Sequence, residues 1–318
     1  MSRASDAPFF VINSGRAGST LLQMMLSAHP RLVVAPETHW IVHLTDRHRD
    51  GGPPWAGLAE DLSAEPSYRD VWRLDPRETR RRLAERAPVT VAGAIDEVFR
   101  QYAELARKPR WGDKSPSYAL HVARLAELWP EARFVHLVRD GRDVASSLLR
   151  VPWGPRTIPG AALHWRRSVE RARRDGERLG PGRFTEVRYE RLVADPEAEL
   201  RTICTFLGED FDPAMLGFHT HAPEALVPGA NPRDPLRPVD PGARNWRQER
   251  SLREIARFEA VAGTTLERFG YRRGANPGLP DTGAGWTIAA ADAAGLLWRR
   301  LRGETRTGPR RSEGPQSR

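Results

Sequence analysis

Short apolar runs alternate with helix-like segments along most of this chain. Phe9–Ile12 is wholly apolar, as in strands buried on both faces of a parallel sheet, and Leu32–Ala35 and Phe134–Val138 have the same character. Phe184–Tyr189 predicts a further strand. Because strands and helices alternate, the pattern predicts an α/β fold with a central parallel sheet covered by helices on both faces.

Segments with helical periodicity occupy most of the chain between and after these runs. The predicted helices are 19–29, 76–86, 91–106, 118–129, 141–149, 161–176, 195–207 and 251–269. The stretch 48–66 is rich in glycine, proline and charged residues, so we expect either a loop or an insertion over the site there.

Two segments of different character follow from the same pattern. Residues 1–273 are predicted to form one domain, for which an apolar content of 39% supplies a sufficient core. Residues 274–318 are predicted to form a C-terminal extension with one helix, 286–301, and a disordered tail.

The net charge of +9 comes almost entirely from arginine, since Lys108 and Lys114 are the only lysines. A positive charge fits a nucleic acid or a small anionic ligand equally well. The arginines are scattered among acidic residues and no recognition motif is present, so we expect no nucleic-acid partner. A lysine is a rare choice in this chain, which makes each one a candidate for a specific role.

A single cysteine, Cys204, excludes an internal disulfide framework and argues against a structural zinc site. The N-terminus lacks the pattern of a signal peptide, and no apolar stretch is long enough for a membrane span. We therefore predict a cytoplasmic protein without a transmembrane segment. The sequence does not determine its oligomeric state, and a homodimer is one option.

A glycine-containing loop, Asn13–Gly18, lies between the first predicted strand and the first predicted helix. This order of elements directs backbone N–H groups and a helix N-terminus towards an anion. Ser19 stands where a Walker A loop has its lysine, so that motif is not matched, and Arg16 can supply the cation instead. On its own, the loop fits a plain tight turn as well.

Six blocks, in order, resemble the family of sulfotransferases that use 3′-phosphoadenosine 5′-phosphosulfate (PAPS). They are Ser14–Leu22, Ala28–Pro30, Pro36–Thr38, Gly112–Pro116, Val138–Ser147 and Arg188–Glu190. From about Phe9 to Tyr271 the chain is most similar to the branch of tyrosylprotein sulfotransferases and bacterial relatives. The resemblance implies a three-layer P-loop-like fold and in-line transfer of a sulfuryl group from PAPS, with PAP as the product and no metal. The acceptor would be a hydroxyl or similar nucleophile of a small molecule or peptide.

The resemblance assigns the loop after the first strand to the 5′-phosphosulfate. The residues concerned are Arg16, Ala17, Gly18, Ser19 and Thr20. Arg16 is expected to neutralise the departing phosphate, while backbone N–H groups and the two hydroxyls donate hydrogen bonds.

The resemblance also assigns the 3′-phosphate of the nucleotide to Arg139 and Ser147. Eight residues of helix put this pair on one side, about 12 Å apart, a gap that an arginine side chain can span. Tyr189 matches a position near the nucleotide, and otherwise is a half-buried tyrosine of the sheet. A late basic segment closes over the cofactor in the family, and the sequence leaves open whether Arg247 or Arg244 does so here.

Glu37 is the candidate general base. Cytosolic members of the wider family use a histidine after the lysine of the Gly112–Pro116 block, which this chain lacks, whereas the similar tyrosylprotein branch uses a glutamate in a segment that matches Glu37. Glu37 follows a predicted strand, where catalytic groups of open α/β sheets collect, and we expect burial to raise its pKa. Lys114 is expected to stabilise the charge on the oxygen between sulfur and the 5′-phosphate. The plain alternative for Glu37 is a surface carboxylate.

Two other functions stay open at this stage. A P-loop kinase shares the first strand and loop, but it needs a Lys–Ser/Thr pair and a magnesium carboxylate that the motif lacks. A non-catalytic relative would bind nucleotide only, and the presence of Glu37, Lys114 and Arg139 argues against it. Three histidines are either acceptor-site residues or structural ones: His39, His43 and His121.

Overall fold

The computed structural model describes residues 6–48, 54–65, 67–72, 74–221 and 245–274. Its contacts divide the chain into two compact units. The first unit comprises Met1–Arg139 and Arg167–Ala243, and the second comprises Asp140–Arg166 and Arg244–Arg318.

Five parallel strands form the sheet of the first unit, in the order β2-β3-β1-β4-β5. They are β1 (Phe9–Ile12), β2 (Leu32–Ala35), β3 (Arg110–Asp113), β4 (Arg133–Val138) and β5 (Phe184–Arg188). In register, Phe10 pairs with Asp113 on one side and with Phe134 on the other. Since all strands are parallel, all their carboxyl ends lie at the same edge of the sheet.

The helices follow the predicted alternation closely. They are α1 (Ser19–Ala28), α2 (Ile41–Arg47), α3 (Pro54–Ala64), α4 (Pro76–Arg86), α5 (Val91–Leu105), α6 (Val122–Leu128), α7 (Gly141–Leu148), α8 (Ile158–Leu179), α9 (Tyr189–Ala194), α10 (Pro196–Leu207), α11 (Phe218–His221), α12 (Trp246–Glu249) and α13 (Leu252–Arg268). A π-helical turn, Ser67–Trp72, precedes α4, and 3₁₀ turns occupy Pro116–Leu120 and Pro213–Met215.

Two apolar clusters in the first unit cover the two faces of the sheet. Phe10 and Ile12 pack with residues of α2 to α6, whereas Phe9 and Val11 pack with residues of α1, α9 and α10. Successive side chains of a strand point to opposite faces, so β1 is buried from both sides. The predicted three-layer P-loop-like α/β fold is confirmed.

One strand, β3, was not predicted, because its sequence Arg-Trp-Gly-Asp has a single large apolar residue. It is nevertheless central and buried. The guanidinium of Arg110 donates hydrogen bonds to the carbonyl oxygens of Ala7 and Leu207, both at 2.7 Å, and to Glu209 at 3.0 Å. These bonds offset the desolvation of the buried charge, which no hydrophobic pattern can reveal.

Three local predictions were wrong. The loop alternative for 48–66 was wrong, because the segment contains α3, which begins at Pro54, a residue favoured in the first turn of a helix. The expected helix 118–129 is interrupted at His121, between the 3₁₀ turn and α6. Tyr189 is not the last residue of a strand but the first residue of α9.

The second unit is organised around the N-terminus of α7. Asp140 caps this helix by accepting a hydrogen bond from the backbone N–H of Arg142 at 3.0 Å. Arg142 also donates to Glu259 of α13, and its guanidinium carbon lies 3.8 Å from the ring centroid of Trp246. A Cβ on Gly141 would lie 2.5 Å from the Trp165 ring, so only glycine fits there.

The predictions for 274–318 fall outside the described residues, apart from Gly274. Within the described ranges, no helix is long and apolar enough to cross a membrane. The same ranges contain no cluster of side chains that would hold a metal ion.

Candidate active site

Every strand of the sheet is followed by one of the candidate residues or by the candidate loop. Glu37 follows β2, Lys114 follows β3, the loop Asn13–Gly18 follows β1, Arg139 follows β4, and Tyr189 follows β5. Neighbouring strands lie about 4.8 Å apart, so this row along the carboxyl edge is about 19 Å long. Ligands of open α/β sheets bind at this edge.

The loop after β1 has the backbone conformation of an anion site. Gly15, Arg16 and Gly18 have φ values of 77°, 56° and 88°, all in the left-handed region. The side-chain oxygen of Asn13 accepts a hydrogen bond from the N–H of Gly15 at 2.8 Å, which holds the start of the loop. Gly18 is the N-cap of the ten-residue helix α1 and provides no side chain to cap the first-turn N–H groups, which is the arrangement of anion-binding helix N-termini.

The ring of Tyr189 joins the loop to the end of β4. A Cβ on Gly18 would lie 2.3 Å from a carbon of this ring, so the ring packs directly against the Gly18 backbone. The guanidinium carbon of Arg139 lies 4.3 Å from the centroid of the same ring, in a cation–π contact. The ring of Tyr189 therefore contacts both the backbone of Gly18 and the guanidinium of Arg139.

Each of the two carboxylate oxygens of Glu37 has a hydrogen bond with a basic side chain. Lys114, which is almost fully buried, donates a short hydrogen bond to Oε1. His39 Nε2 lies 2.9 Å from Oε2, and Nδ1 of the same ring lies 2.9 Å from the hydroxyl of Ser117. Lys114 and His39 thus fix both the position and the charge of this carboxylate.

The expected rise in the pKa of Glu37 was wrong for this state of the site. Burial raises the pKa, but the hydrogen bond with His39 and the charges of Lys114 and His39 outweigh burial and lower the pKa to about 2. Glu37 is ionised at neutral pH, so it is ready to accept a proton.

Thr38, next to Glu37, is anchored in a buried polar network beneath the site. Its N–H donates to Ser115 Oγ at 2.9 Å, and its hydroxyl donates to Asp113 at 2.9 Å and lies 2.7 Å from the hydroxyl of Tyr118. Burial raises the pKa of Asp113 to about 7, although bonds from Ser115 and Thr38 oppose it. The network joins the segment after β2 to the segment after β3.

Residues 8–213 match the family model described as the sulfotransferase family. The chain belongs to the sulfotransferase family. Its enzyme class is therefore that of a transferase acting on sulfuryl groups, as the sequence blocks implied.

The relatives of this sulfotransferase include enzymes that are named for different acceptors. It is 26% identical over 298 residues to "Protein-tyrosine sulfotransferase A" of Caenorhabditis elegans, covering 86% of this chain and 71% of that protein. It is 25% identical to "Omega-hydroxy-beta-dihydromenaquinone-9 sulfotransferase Stf3" of Mycobacterium tuberculosis, covering 64% of this chain and 63% of that protein. The solved sulfotransferase domain of the Synechococcus PCC 7002 olefin synthase is 29% identical, with a TM-score of 0.58 over 82% of this chain and 95% of that domain.

Two candidate residues of the sulfotransferase lie in the second unit. Ser147 is buried on α7, and Arg247 is on α12, with its guanidinium carbon 4.3 Å from the ring centroid of Trp246. Arg244 lies outside the described residues. The assignment of Ser147 and Arg247 to the nucleotide therefore stays a prediction.

The sequence missed the role of His39 as a direct partner of Glu37. Its φ of 54° turns the ring back towards the residue two positions earlier, and the local sequence carries no sign of this conformation. The other lysine, Lys108, is half-buried and its ammonium donates to the carbonyl of His29 at 2.6 Å, away from Glu37.

Proposed function

We propose that this sulfotransferase transfers the sulfuryl group of PAPS to an acceptor hydroxyl, with Glu37 as the general base. The order of groups along the carboxyl edge of the sheet carries the proposal. A base follows β2, a lysine follows β3, an anion-binding loop follows β1, and an arginine follows β4. This is the order in which acceptor, bridging oxygen, 5′-phosphate and 3′-phosphate would be arranged.

The loop after β1 fits the 5′-phosphosulfate of the donor. Its left-handed residues and the N-terminus of α1 provide N–H groups, and Arg16 provides a charge. Arg139, fixed on the ring of Tyr189, would hold the 3′-phosphate. Ser147 and Arg247 are proposed as further contacts to the nucleotide, whose sulfuryl group is the one transferred.

Three groups of this chain would serve the chemical step. Glu37 takes the proton of the acceptor hydroxyl as the acceptor oxygen forms its bond to sulfur. Lys114 and Arg16 stabilise the negative charge on the phosphate oxygen as its bond to sulfur breaks. Water is not consumed and no metal is required in this scheme, because the leaving group is neutralised by side chains.

The contact between Lys114 and Glu37 links proton transfer to donor binding. While Lys114 pairs with Glu37, it keeps the pKa of this carboxyl low. When Lys114 directs its charge to the leaving oxygen, Glu37 loses part of that stabilisation, so its affinity for a proton rises. The base therefore becomes stronger at the stage at which the acceptor must be deprotonated.

The acceptor is proposed only as a class. One relative is named for protein tyrosine and another for a hydroxylated menaquinone derivative, and both names describe hydroxyl groups. A small molecule or a peptide is therefore the proposed acceptor. The cytoplasmic location and the single catalytic domain of residues 1–273 stay predictions.

A donor-binding assay separates the proposal from a kinase. Thermal unfolding should shift upwards with PAP and with PAPS, and much less with ATP and magnesium. Radiolabelled PAPS should then label at least one acceptor among phenols, alcohols, sugars and tyrosine peptides. Stabilisation by ATP with magnesium alone, without any PAP effect, would favour the kinase.

Glu37→Gln tests the base directly. General base catalysis contributes about 10²- to 10⁴-fold, so we expect single-turnover transfer to fall by about that factor. The amide has almost the same shape, so the PAP-induced shift in melting temperature should persist. Transfer at the wild-type rate would remove Glu37 from the mechanism.

A further inference from the structure

His39 has a backbone conformation that calls for an explanation. Four non-glycine residues in the described ranges have positive φ: Arg16, His39, Ala87 and Arg107. Ala87 is the C-cap of α4 and Arg107 lies just after α5, where left-handed residues are common. Arg16 and His39 instead lie in the candidate site, and such strain persists only where the surroundings impose it.

The surroundings of His39 impose this conformation from below. The preceding residue, Thr38, is tied by its N–H to Ser115 and by its hydroxyl to Asp113 and Tyr118. These partners are buried, so the backbone at Thr38 has little freedom. With Thr38 fixed in this way, the left-handed φ of 54° at His39 turns its imidazole back over Glu37.

The imidazole and Lys114 hold Glu37 in different ways. Lys114 is almost fully buried, whereas the side chain of His39 is 50% exposed and faces solvent. In the proposed reaction Lys114 redirects its charge to the leaving group. Within the described contacts, His39 is then the side chain that still fixes Oε2 of Glu37.

We propose that His39 is a positioning residue that holds Oε2 of Glu37 so that Oε1 faces the acceptor hydroxyl. The imidazole Nε2–H donates to Glu37, and Nδ1 is oriented by the hydroxyl of Ser117. This inference rests on the proposed role of Glu37. It adds a second requirement for turnover that does not involve donor binding.

Two substitutions separate the positioning role from a structural one. His39→Asn suits the left-handed backbone, since asparagine tolerates it, but its amide is too short to reach Glu37. His39→Gln places an amide N–H near the position of Nε2 and so keeps the bond to Oε2. With radiolabelled PAPS and naphthol or octanol as acceptor probes, we expect His39→Asn to lower kcat by about 10- to 100-fold. His39→Gln should retain most of kcat, and neither change should alter the KM for PAPS.

A matched control is His48→Asn. His48 Nε2 also bonds a carboxylate, Asp61 on α3, at 2.7 Å. Loss of this pair should leave kcat unchanged. Wild-type kcat in both His39 variants, or equal losses in both together with a lower melting temperature, would overturn the positioning role.

An independent measurement keeps the test valid if neither probe is sulfated. Nitrogen-15 shifts of the His39 ring should show a proton on Nε2, and Glu37→Gln should change the Nε2 shift. Ser117→Ala should change the Nδ1 shift. A ring that is insensitive to both substitutions would contradict the inference, whereas absence of any PAP effect on melting would contradict the proposed function instead.

Discussion

The two ends of the site are built by different means. At the β2–β3 end, hydrogen bonds between side chains determine the geometry. Lys114 and His39 bond to Glu37, and a buried polar network bonds to Thr38 below it. This end is ordered by hydrogen bonds among the protein's own side chains. Such preorganisation suits a group that must accept a proton at a defined position.

At the β1–β4–β5 end, backbone conformation and one aromatic ring determine the geometry. The loop after β1 is left-handed at Gly15, Arg16 and Gly18, and Tyr189 contacts both Gly18 and Arg139. Backbone N–H groups serve any phosphate, and a guanidinium on a ring adds charge with a fixed direction. In the proposed reaction, side chains therefore set the chemistry at one end, whereas the main chain largely sets nucleotide binding at the other.

Substitution of Lys114 should cause a large loss in the chemical step, within the range expected for Glu37→Gln. Removing one donor to a developing oxyanion costs about 10²- to 10³-fold, so Lys114→Ala should lower kcat by about that factor. Loss of the ion pair should also raise the pKa of Glu37, because Lys114 is one of the groups that lower it. Single-turnover rates with PAPS measure the first effect, and the carboxyl carbon shift of Glu37 across a pH titration measures the second.

The other lysine provides the control for this prediction. Lys108→Ala removes a hydrogen bond to the carbonyl of His29, away from the row of strand ends. Its kcat should change by no more than about twofold, as expected for a substitution outside the site. Equal losses in the two variants would show that overall charge, and not position, is responsible.

Gly18→Ala should mainly weaken nucleotide binding. The new methyl would lie 2.3 Å from the ring of Tyr189, at a φ of 88° that favours glycine. Gly180 is the matched control, since its φ is 78° but nothing lies within 4 Å of an added Cβ. Left-handed strain alone costs about 1–2 kcal/mol of stability at either position.

Calorimetric titration with PAP distinguishes these two effects of glycine replacement. Gly18→Ala should raise the Kd by about 5- to 150-fold, because overpacking of about 1–3 kcal/mol displaces the loop or the ring. Gly180→Ala should leave the Kd unchanged. The same Kd in both variants would mean that the Gly18–Tyr189 contact does not shape the nucleotide site.

Tyr189→Leu should have a smaller effect on the same end. The contact between Arg139 and the ring is worth about 0.5–2 kcal/mol, so the Kd for PAP should rise by about 2- to 30-fold. Because Glu37 lies at the other end, kcat at saturating PAPS should change little. A loss in kcat without a change in Kd would contradict the division between the two ends.

Asp113→Asn should alter how stability depends on pH. The pKa of Asp113 is raised from 3.8 to about 7 in the folded chain, so between these values the folded state keeps a proton that the unfolded chain releases. Its contribution to the free energy of unfolding therefore falls as pH rises through this window. The free energy of unfolding by urea, measured at pH values on either side of this window, should fall less with pH in Asp113→Asn than in the wild type. An equal fall in both proteins would show that another group binds the proton.

The sequence predicted the fold well where apolar runs report burial directly. Phe9–Ile12 and Leu32–Ala35 are strands with the predicted bounds. It failed at β3, because Arg110 is buried by hydrogen bonds and not by apolarity. The segment 48–66 was also misjudged, since its proline begins a helix instead of breaking one.

For the site, motifs identified residues but not their electrostatic environment. Glu37 and Lys114 lie at adjacent strand ends, in direct contact, but their mutual effect lowers the pKa that burial alone would raise. His39 was named only as one of three histidines. Its proposed positioning role depends on a left-handed backbone next to Thr38, whose partners lie up to 80 positions away in sequence, as Tyr118 does.

A crystal structure with PAP would show directly whether the nucleotide lies along the carboxyl edge of the sheet. We predict that the 5′-phosphate accepts hydrogen bonds from the N–H groups of the loop after β1 and from Arg16. The 3′-phosphate should contact Arg139, and Glu37 should lie beyond the 5′-phosphate at the β2 end. A nucleotide bound away from the carboxyl edge of the sheet, or bound there in the reverse direction, would contradict the account.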